Sequence, residues 1–323
     1  MDNLTCKICN NSNENTSFTF QELNYGFRDE FTYFQCKECG CLQIKSFPEN
    51  ISDYYPNDYY SFGAYDGRKF KGVLGLLKKT QYKLLVLGNN SIKKLLKPFS
   101  GLHNYHIFHD ININRDSTIL DVGCGNGKSF LFPLAEIGFK NLKGCDPFIG
   151  KNIVYDNGLT IEKSNIFSMD GLWDVITYHH SFEHVSNPQE HLDAIKQLLK
   201  PNGVCIIRIP TVSSFAWKHY GKYWVQIDAP RHFFLHSNES MHLLAKQSDL
   251  DLFKIEYDSN HFQFLGSELY KNGIRLKKSR PKGFANMIKR KIKKYQYKRK
   301  AKSLNKTMQG DQAAYFLRNS RAS

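Results

Sequence analysis

Apolar positions change rhythm along the chain, and each change predicts a different element. Residues 118–122 form a short apolar block running into Gly123-Cys124-Gly125-Asn126-Gly127, which reads as a strand and a tight loop. A helix is predicted from Ser129 to Ile137, then strands at 142–146, 160–163 and 173–178. Residues 188–199 place Leu192, Ile195, Leu198 and Leu199 at helical spacing, and Pro201-Asn202-Gly203 stops the helix. A further strand follows at 204–209. Strands alternating with helices predict an α/β fold built on a parallel, doubly wound sheet.

The first third of the chain behaves differently. Residues 46–66 are rich in Tyr, Asp, Asn and Pro and read as an irregular connector. Over 70–97, apolar residues such as Val73, Leu76, Leu77, Leu84 and Leu85 alternate with lysines at helical spacing, predicting two or three short amphipathic helices, among them Ile92, Leu95 and Leu96. Such helices most often pack on a domain, but they also suit a membrane surface.

Charge sharpens this picture. The 323 residues carry 45 Lys+Arg and 30 Asp+Glu, a net charge of +15. Nine of the bases lie between Gly67 and His109 and sixteen between Lys271 and Gly310, with no acid in either block. The rest is a mildly acidic body. Two basic blocks point to a nucleic acid, an anionic membrane or a phosphorylated acceptor. No run approaches the roughly 20 apolar residues that span a bilayer. Met1-Asp2-Asn3 begins no basic-then-apolar leader, so a cytoplasmic protein is expected, with a peripheral place at the inner membrane face open to it.

Eight cysteines in a reducing compartment suggest metal or catalysis before disulfides. Cys6-x2-Cys9 and Cys36-x2-Cys39, with 26 residues between the pairs, suit a tetrahedral Zn(II)-thiolate site. Four thiolates leave no open coordination position, so the zinc is expected to be structural. Cys41 is a spare thiol.

The glycine loop lies where ligands bind in such sheets, beyond the carboxyl end of a strand. Asp146, 19 residues after Gly127, ends the second strand and can accept hydrogen bonds from ribose hydroxyls. The spacing is Gly-x-Gly-x-Gly, so the third glycine of a dinucleotide fingerprint would fall on Lys128. Asp121 is badly placed beside a pyrophosphate but well placed for an amino acid's ammonium group. No phosphate-cradling Gly-x4-Gly-Lys-Ser/Thr loop is present. These details favour S-adenosylmethionine (SAM) over a nucleotide.

Residues 119–127 resemble the SAM-binding motif of class I methyltransferases. Glu183-His184-Val185-Ser186-Asn187-Pro188 and Leu198-Leu199-Lys200-Pro201-Asn202-Gly203 resemble signatures of the same family. Asp228-Ala229-Pro230-Arg231-His232-Phe233 and the Tyr-Tyr-Pro-x-Asp-Tyr-Tyr run at 54–60 resemble a subgroup met in bacterial surface-polysaccharide clusters, which often carries an N-terminal four-cysteine zinc ribbon. The resemblance implies a Rossmann-like, seven-stranded, mostly parallel sheet. The sixth strand falls at 252–257 and the seventh, near 311–318, slots antiparallel between the fifth and sixth. It implies a zinc-ribbon domain at 1–45, a connector with basic helices at 46–109, and a catalytic domain at 110–323 with a basic helical insertion at about 266–308. It further implies Asp121, Gly123 and Gly125 at the methionine end of SAM, Asp146 on the ribose, and Phe148, Asn165 and Ile166 along the adenine, with Cys124, Gly127, Pro147 and His180 also in the cofactor site.

Methyl transfer from a sulfonium is an in-line displacement that needs an aligned acceptor and, for a hydroxyl, a base. His180 or His184 is the expected base, with Glu183 in the same catalytic group; His179 and His180 cannot both face the pocket if the strand continues through them. The aromatic stretch at 211–236 offers Tyr223, Trp224, Arg231 and His232 as substrate contacts. The leading expectation is O-methylation of a sugar or another small-molecule or glycan acceptor, phosphorylated or lipid-linked. An RNA methyltransferase is less favoured, because Tyr178-His179-His180-Ser181 stands where base-amino enzymes carry Asn/Asp-Pro-Pro-aromatic. N- or C-methylation of nucleotide sugars and a non-catalytic SAM-fold adaptor are further alternatives.

Overall fold

The computed structural model describes residues 4–55, 62, 65–88, 103–276 and 284–320, the side chains of 103, 104 and 284–287 excepted. The predicted helix containing Ile92, Leu95 and Leu96 and most of the 54–60 run lie outside them.

Three N-terminal strands come first: β1 (Thr16–Gln21), β2 (Glu30–Gln35) and β3 (Leu42–Ile44). Helix α1 (Gly72–Leu87) follows. The central sheet begins with β4 (Thr118–Val122), helix α2 (Leu131–Glu136), β5 (Asn141–Cys145), β6 (Ile153–Val154), β7 (Thr160–Glu162) and β8 (Trp173–His179). Then come α3 (Pro188–Leu198), β9 (Leu199–Pro210), α4 (Phe215–Tyr220), β10 (Phe234–Leu235), α5 (Asn238–Gln247) and β11 (Leu250–Tyr257). Helices α6 (Phe262–Lys271) and α7 (Phe284–Lys306) precede the last strand, β12 (Gln312–Asn319).

The large sheet runs β11-β12-β9-β8-β4-β5-β7-β6. Its centre is parallel, and β12 lies antiparallel between β9 and β11. It holds eight strands rather than seven. The extra one is the two-residue β6, which folds back antiparallel on β7 and is too short to leave a periodic signal. Side chains alternate across the sheet. Ile119, Val175 and Ile206 share a core with Leu131 and Leu134 of α2 and Tyr82 and Val86 of α1. Leu120, Ile176 and Ile207 pack with Leu192 and Ile195 of α3 and Met241 and Leu244 of α5. Pro188 opens α3 at its first turn, where a missing N–H costs nothing, and Ser237 and Ser240 cap α5 reciprocally.

The N-terminal strands do not close a sheet alone. β3 pairs with β10, nearly 200 residues away, and Cys6, Tyr33 and Leu42 share one core with Leu120 and Ile207. Residues 4–45 thus share the core of the large domain. In the 46–109 region, α1 packs mainly through its later part: Tyr82, Leu85 and Val86 are buried, as is Gly75, whereas Val73, Leu74, Leu76 and Leu77 are exposed. The basic α7 lies in the chain between β11 and β12 and packs through its later part, with Tyr297 against Phe264 (ring centroids 4.8 Å apart) and Ala301 buried. Among the described residues, no helix is long and apolar enough to cross a membrane.

Candidate active site

A cavity of about 540 Å³ opens beyond the carboxyl ends of β4, β5 and β8. Its floor is the glycine loop, shaped by left-handed backbone at Gly123 (φ 71°) and Gly125 (φ 58°). A Cβ on Gly123 would lie 2.4 Å from the Ser181 Cβ, so only glycine lets the β4 and β8 ends approach this closely. The loop is pinned from below. Gly123 N–H donates to the Cys145 carbonyl (2.8 Å), and Gly125 N–H donates to Asp146 Oδ2 (2.8 Å). Asp146 Oδ1 accepts from Phe148 N–H (2.9 Å).

Of the residues the sequence reading assigns to SAM, Asp121, Gly123, Cys124, Asp146, Pro147, Phe148, Asn165 and His180 line this cavity. Three other expected SAM residues stand apart. Gly125 lies in the loop but is occupied with Asp146. At Gly127, an added Cβ would strike Ile161, so this glycine packs against the sheet. Ile166 is buried in the core, where its apolar side chain packs behind the wall. Asn165 instead caps a short turn by accepting from Phe167 N–H (3.1 Å). Phe148 is half exposed and stacks on Tyr55 (5.5 Å between centroids, 17° between planes).

The steric limit on His179 and His180 applies only to a strand running through both, and the strand stops short of His180. β8 ends at His179, and His180 adopts φ 54°, a left-handed conformation that histidine tolerates. Leaving the strand there lets His179 and His180 both line the cavity. His179 packs on Phe130, 4.4 Å between rings, and burial holds it neutral, well below the usual histidine range. His180 Nδ1 lies 3.4 Å from Glu183 Oε1, and Glu183 is fully buried. Burial alone would raise the Glu183 carboxyl, but the His180 hydrogen bond and neighbouring histidines bring it down to about 2. His184 also lines the cavity, and its Nδ1 donates to the Arg231 carbonyl (2.7 Å), which leaves Nε2 as the acceptor of the neutral ring.

The four expected substrate residues are not in the cavity wall. Arg231 is completely buried: its guanidinium donates to Asp228 (2.6 and 2.9 Å), Glu22 (2.8 Å) and the Tyr54 carbonyl (3.0 Å). It joins three separate chain segments and is sealed away from any ligand. Trp224 is buried and donates its indole N–H to Asp311 (3.1 Å). Tyr223 packs beside it at the core edge. His232 donates to the Gln226 carbonyl (2.7 Å) and touches the back of His184, 4.8 Å between rings. Burial lowers its pKa to about 4.

Sequence reasoning missed Tyr55 and Arg208, which do line the cavity. A charged residue inside the apolar block 204–209 was the available signal for Arg208; its Nε is held by Asp258. Tyr55 sits in what reads as a connector, and its Oη lies 3.3 Å from His184 Nδ1.

At the other end of the chain the Cys6, Cys9, Cys36 and Cys39 sulfurs converge within 4.8 Å of one another. Cys6 and Cys39 Sγ are 3.6 Å apart, and Cys9 and Cys36 Sγ 3.4 Å. Gln43 Nε2 and the Ile8 N–H donate to Cys6 Sγ at 3.0 and 3.4 Å. Cys41 stands outside this group, 4.0 Å from His236 Nδ1.

A family model described as a methyltransferase domain matches residues 94–255, half of the chain. The chain belongs to the methyltransferase-domain family. The matched region is a SAM-dependent methyltransferase domain, and its glycine loop and His180 lie within it. Two curated relatives are both named ubiquinone biosynthesis O-methyltransferase. One, from Rickettsia typhi, is 37% identical over 100 residues, 28% of this chain and 39% of that protein. The other, from Cereibacter sphaeroides, is 30% identical over 125 residues, 35% of this chain and 50% of that protein. The match thus spans half or less of these relatives. Among solved structures, a mycolic acid cyclopropane synthase complexed with SAH aligns with 84% of this chain and 99% of its own, at 14% identity and a TM-score of 0.43.

Proposed function

We propose that the protein transfers a methyl group from SAM to a hydroxyl of a small-molecule or glycan acceptor, with His180 as the base. The observation that carries this reading is the His180–Glu183 pair at the wall of the glycine-loop cavity. When bound, SAM supplies an electrophilic methyl group. The chain's own residues suit such a ligand. Asp121 is a buried acid at the cavity wall with one hydroxyl partner, Thr177 (2.8 Å), and it suits an ammonium group. Asp146 retains acceptor capacity for ribose hydroxyls beyond its two backbone bonds. Phe148 and Tyr55 offer a stacked aromatic edge for adenine. On the acceptor side, His180 takes the hydroxyl proton, and the buried Glu183 carboxylate orients the ring and stabilises the imidazolium. The O-methyltransferase names of the relatives support oxygen as the accepting atom. Incubation with methyl-labelled SAM and pools of phenols and sugars tests this. Label in an alkali-stable methyl ether supports it; label on nitrogen or carbon contradicts it.

Asp121 makes SAM affinity pH-dependent. Burial pushes its carboxyl up to about 7, the Thr177 hydroxyl opposing and the Asp146 charge adding. Below that pH the free site is protonated and cannot pair with an ammonium group. SAM affinity should therefore fall with acidification, approaching about tenfold per pH unit below 7. Titration calorimetry between pH 5.5 and 8 checks this, and Asp121→Asn should flatten the profile.

We further propose a structural zinc on Cys6, Cys9, Cys36 and Cys39. Bonds of about 2.3 Å in a tetrahedron place sulfurs about 3.8 Å apart, close to the 3.4 and 3.6 Å found here. The N–H donors to Cys6 are the kind of outer contacts that steady a thiolate. Elemental analysis should find one zinc per chain, and chelation should unfold both sheets together, because they share one core.

A further inference from the structure

The first part of α1 carries Val73, Leu74, Leu76 and Leu77, exposed by 63–79%. At about 100° per residue they cover one side of the helix, an arc of roughly 160°. A helix that only packs on its own domain buries such a stripe. Here the packing is done by Tyr82, Leu85 and Val86 further along, and the apolar ridge is left over.

The ridge is set among positive charges. Arg68, Lys69, Lys71, Lys78, Lys79 and Lys83 flank it, and no acid occurs from Gly67 to His109. Lys79 pairs with Glu136 and Arg68 with Asp66, while Lys71 and Lys83 are exposed. We propose that α1 docks the protein on an anionic bilayer, the ridge entering the headgroup–acyl boundary and the lysines meeting lipid phosphates. Charge selects this occupant. Apolar residues flanked by exposed lysines match an anionic lipid surface, on which each nearby Lys adds roughly a factor of five in binding.

A second cavity supports the placement. At the foot of α1, Phe70 and Lys71 line a space of about 700 Å³ together with Tyr65, Phe132 and Val154. Val154 is itself three-quarters exposed. Phe62 lines both this space and the cavity that holds His180. A docked α1 thus sets this cavity, lined by aromatic and aliphatic side chains together with Asp66, Glu136 and Asp156, next to the lipid and adjoining the candidate active site. The docking stands whichever hydroxyl is methylated.

Co-sedimentation of the full chain with vesicles is the test, at about 100 mM salt where exposed charges are only partly screened. With one-third phosphatidylglycerol, binding should exceed that to pure phosphatidylcholine at least ~10-fold. The double variant Leu76→Glu/Leu77→Glu should lose at least ~10-fold in partitioning, with melting temperature and SAM affinity unchanged. Failure of the wild type to sediment with anionic vesicles overturns the proposal. So does undiminished binding by the variant, which would move the contact to another basic surface such as α7. Self-association of a vesicle-indifferent wild type that the double variant abolishes would assign the ridge to a second copy instead.

Discussion

His180→Asn is expected to lower kcat by roughly 10²–10⁴-fold, the usual loss when a positioned base is removed. Asparagine is the informative replacement because it tolerates the left-handed backbone at φ 54°, so the β8 end keeps its shape. SAM affinity should change little, since the loop is pinned by Cys145 and Asp146 rather than by this ring. Glu183→Gln should give a smaller loss in kcat at unchanged SAM affinity, because Glu183 acts through His180. An unchanged kcat in His180→Asn, with the loss appearing instead in His184→Asn, would transfer the role of base to His184, whose Nδ1 is committed to the Arg231 carbonyl.

Arg231→Ala should act on stability rather than on the acceptor. The substitution leaves Glu22, fully buried, and Asp228 without their shared cation. Removing one partner of a buried ion pair costs about 3–5 kcal/mol. Glu22 would keep the N–H groups of Tyr25, Gly26 and Phe27, which softens the loss on that side. Asp228 would keep less, and the contact that Arg231 makes with the Tyr54 carbonyl would go too. Equilibrium denaturation measures the effect. If the variant is as stable as the wild type but has a raised acceptor KM, Arg231 is a substrate contact after all.

Arg231 shows where sequence reading stops. An arginine among aromatics suits a phosphate site and a buried ion pair equally well; only the fold reveals that Glu22 lies beside it, 209 positions away in the chain. The central strands were legible because short β-branched blocks bounded by glycine and proline fit little besides a buried strand. The antiparallel insertion of β12 followed from the family resemblance and agrees with its ladders to β9 and β11. The pairing of β3 with β10 was not legible, because two residues carry no period and their partner is remote. Among site residues, Asp121, Gly123 and Asp146 could be placed from their spacing, since the loop geometry is local. His179 could not: its entry to the cavity depends on one backbone angle at the next residue.

The proposed methyl transfer requires SAM in the glycine-loop cavity, and calorimetric titration of SAM into the wild type and Asp146→Ala at pH 8 reads that occupancy itself. One SAM should bind per wild-type chain, and the variant should bind at least ~10-fold more weakly, through loss of charge-assisted hydrogen bonds and of the anchor for Gly125 N–H. No binding by the zinc-loaded wild type, or equal affinity in the variant, would contradict it.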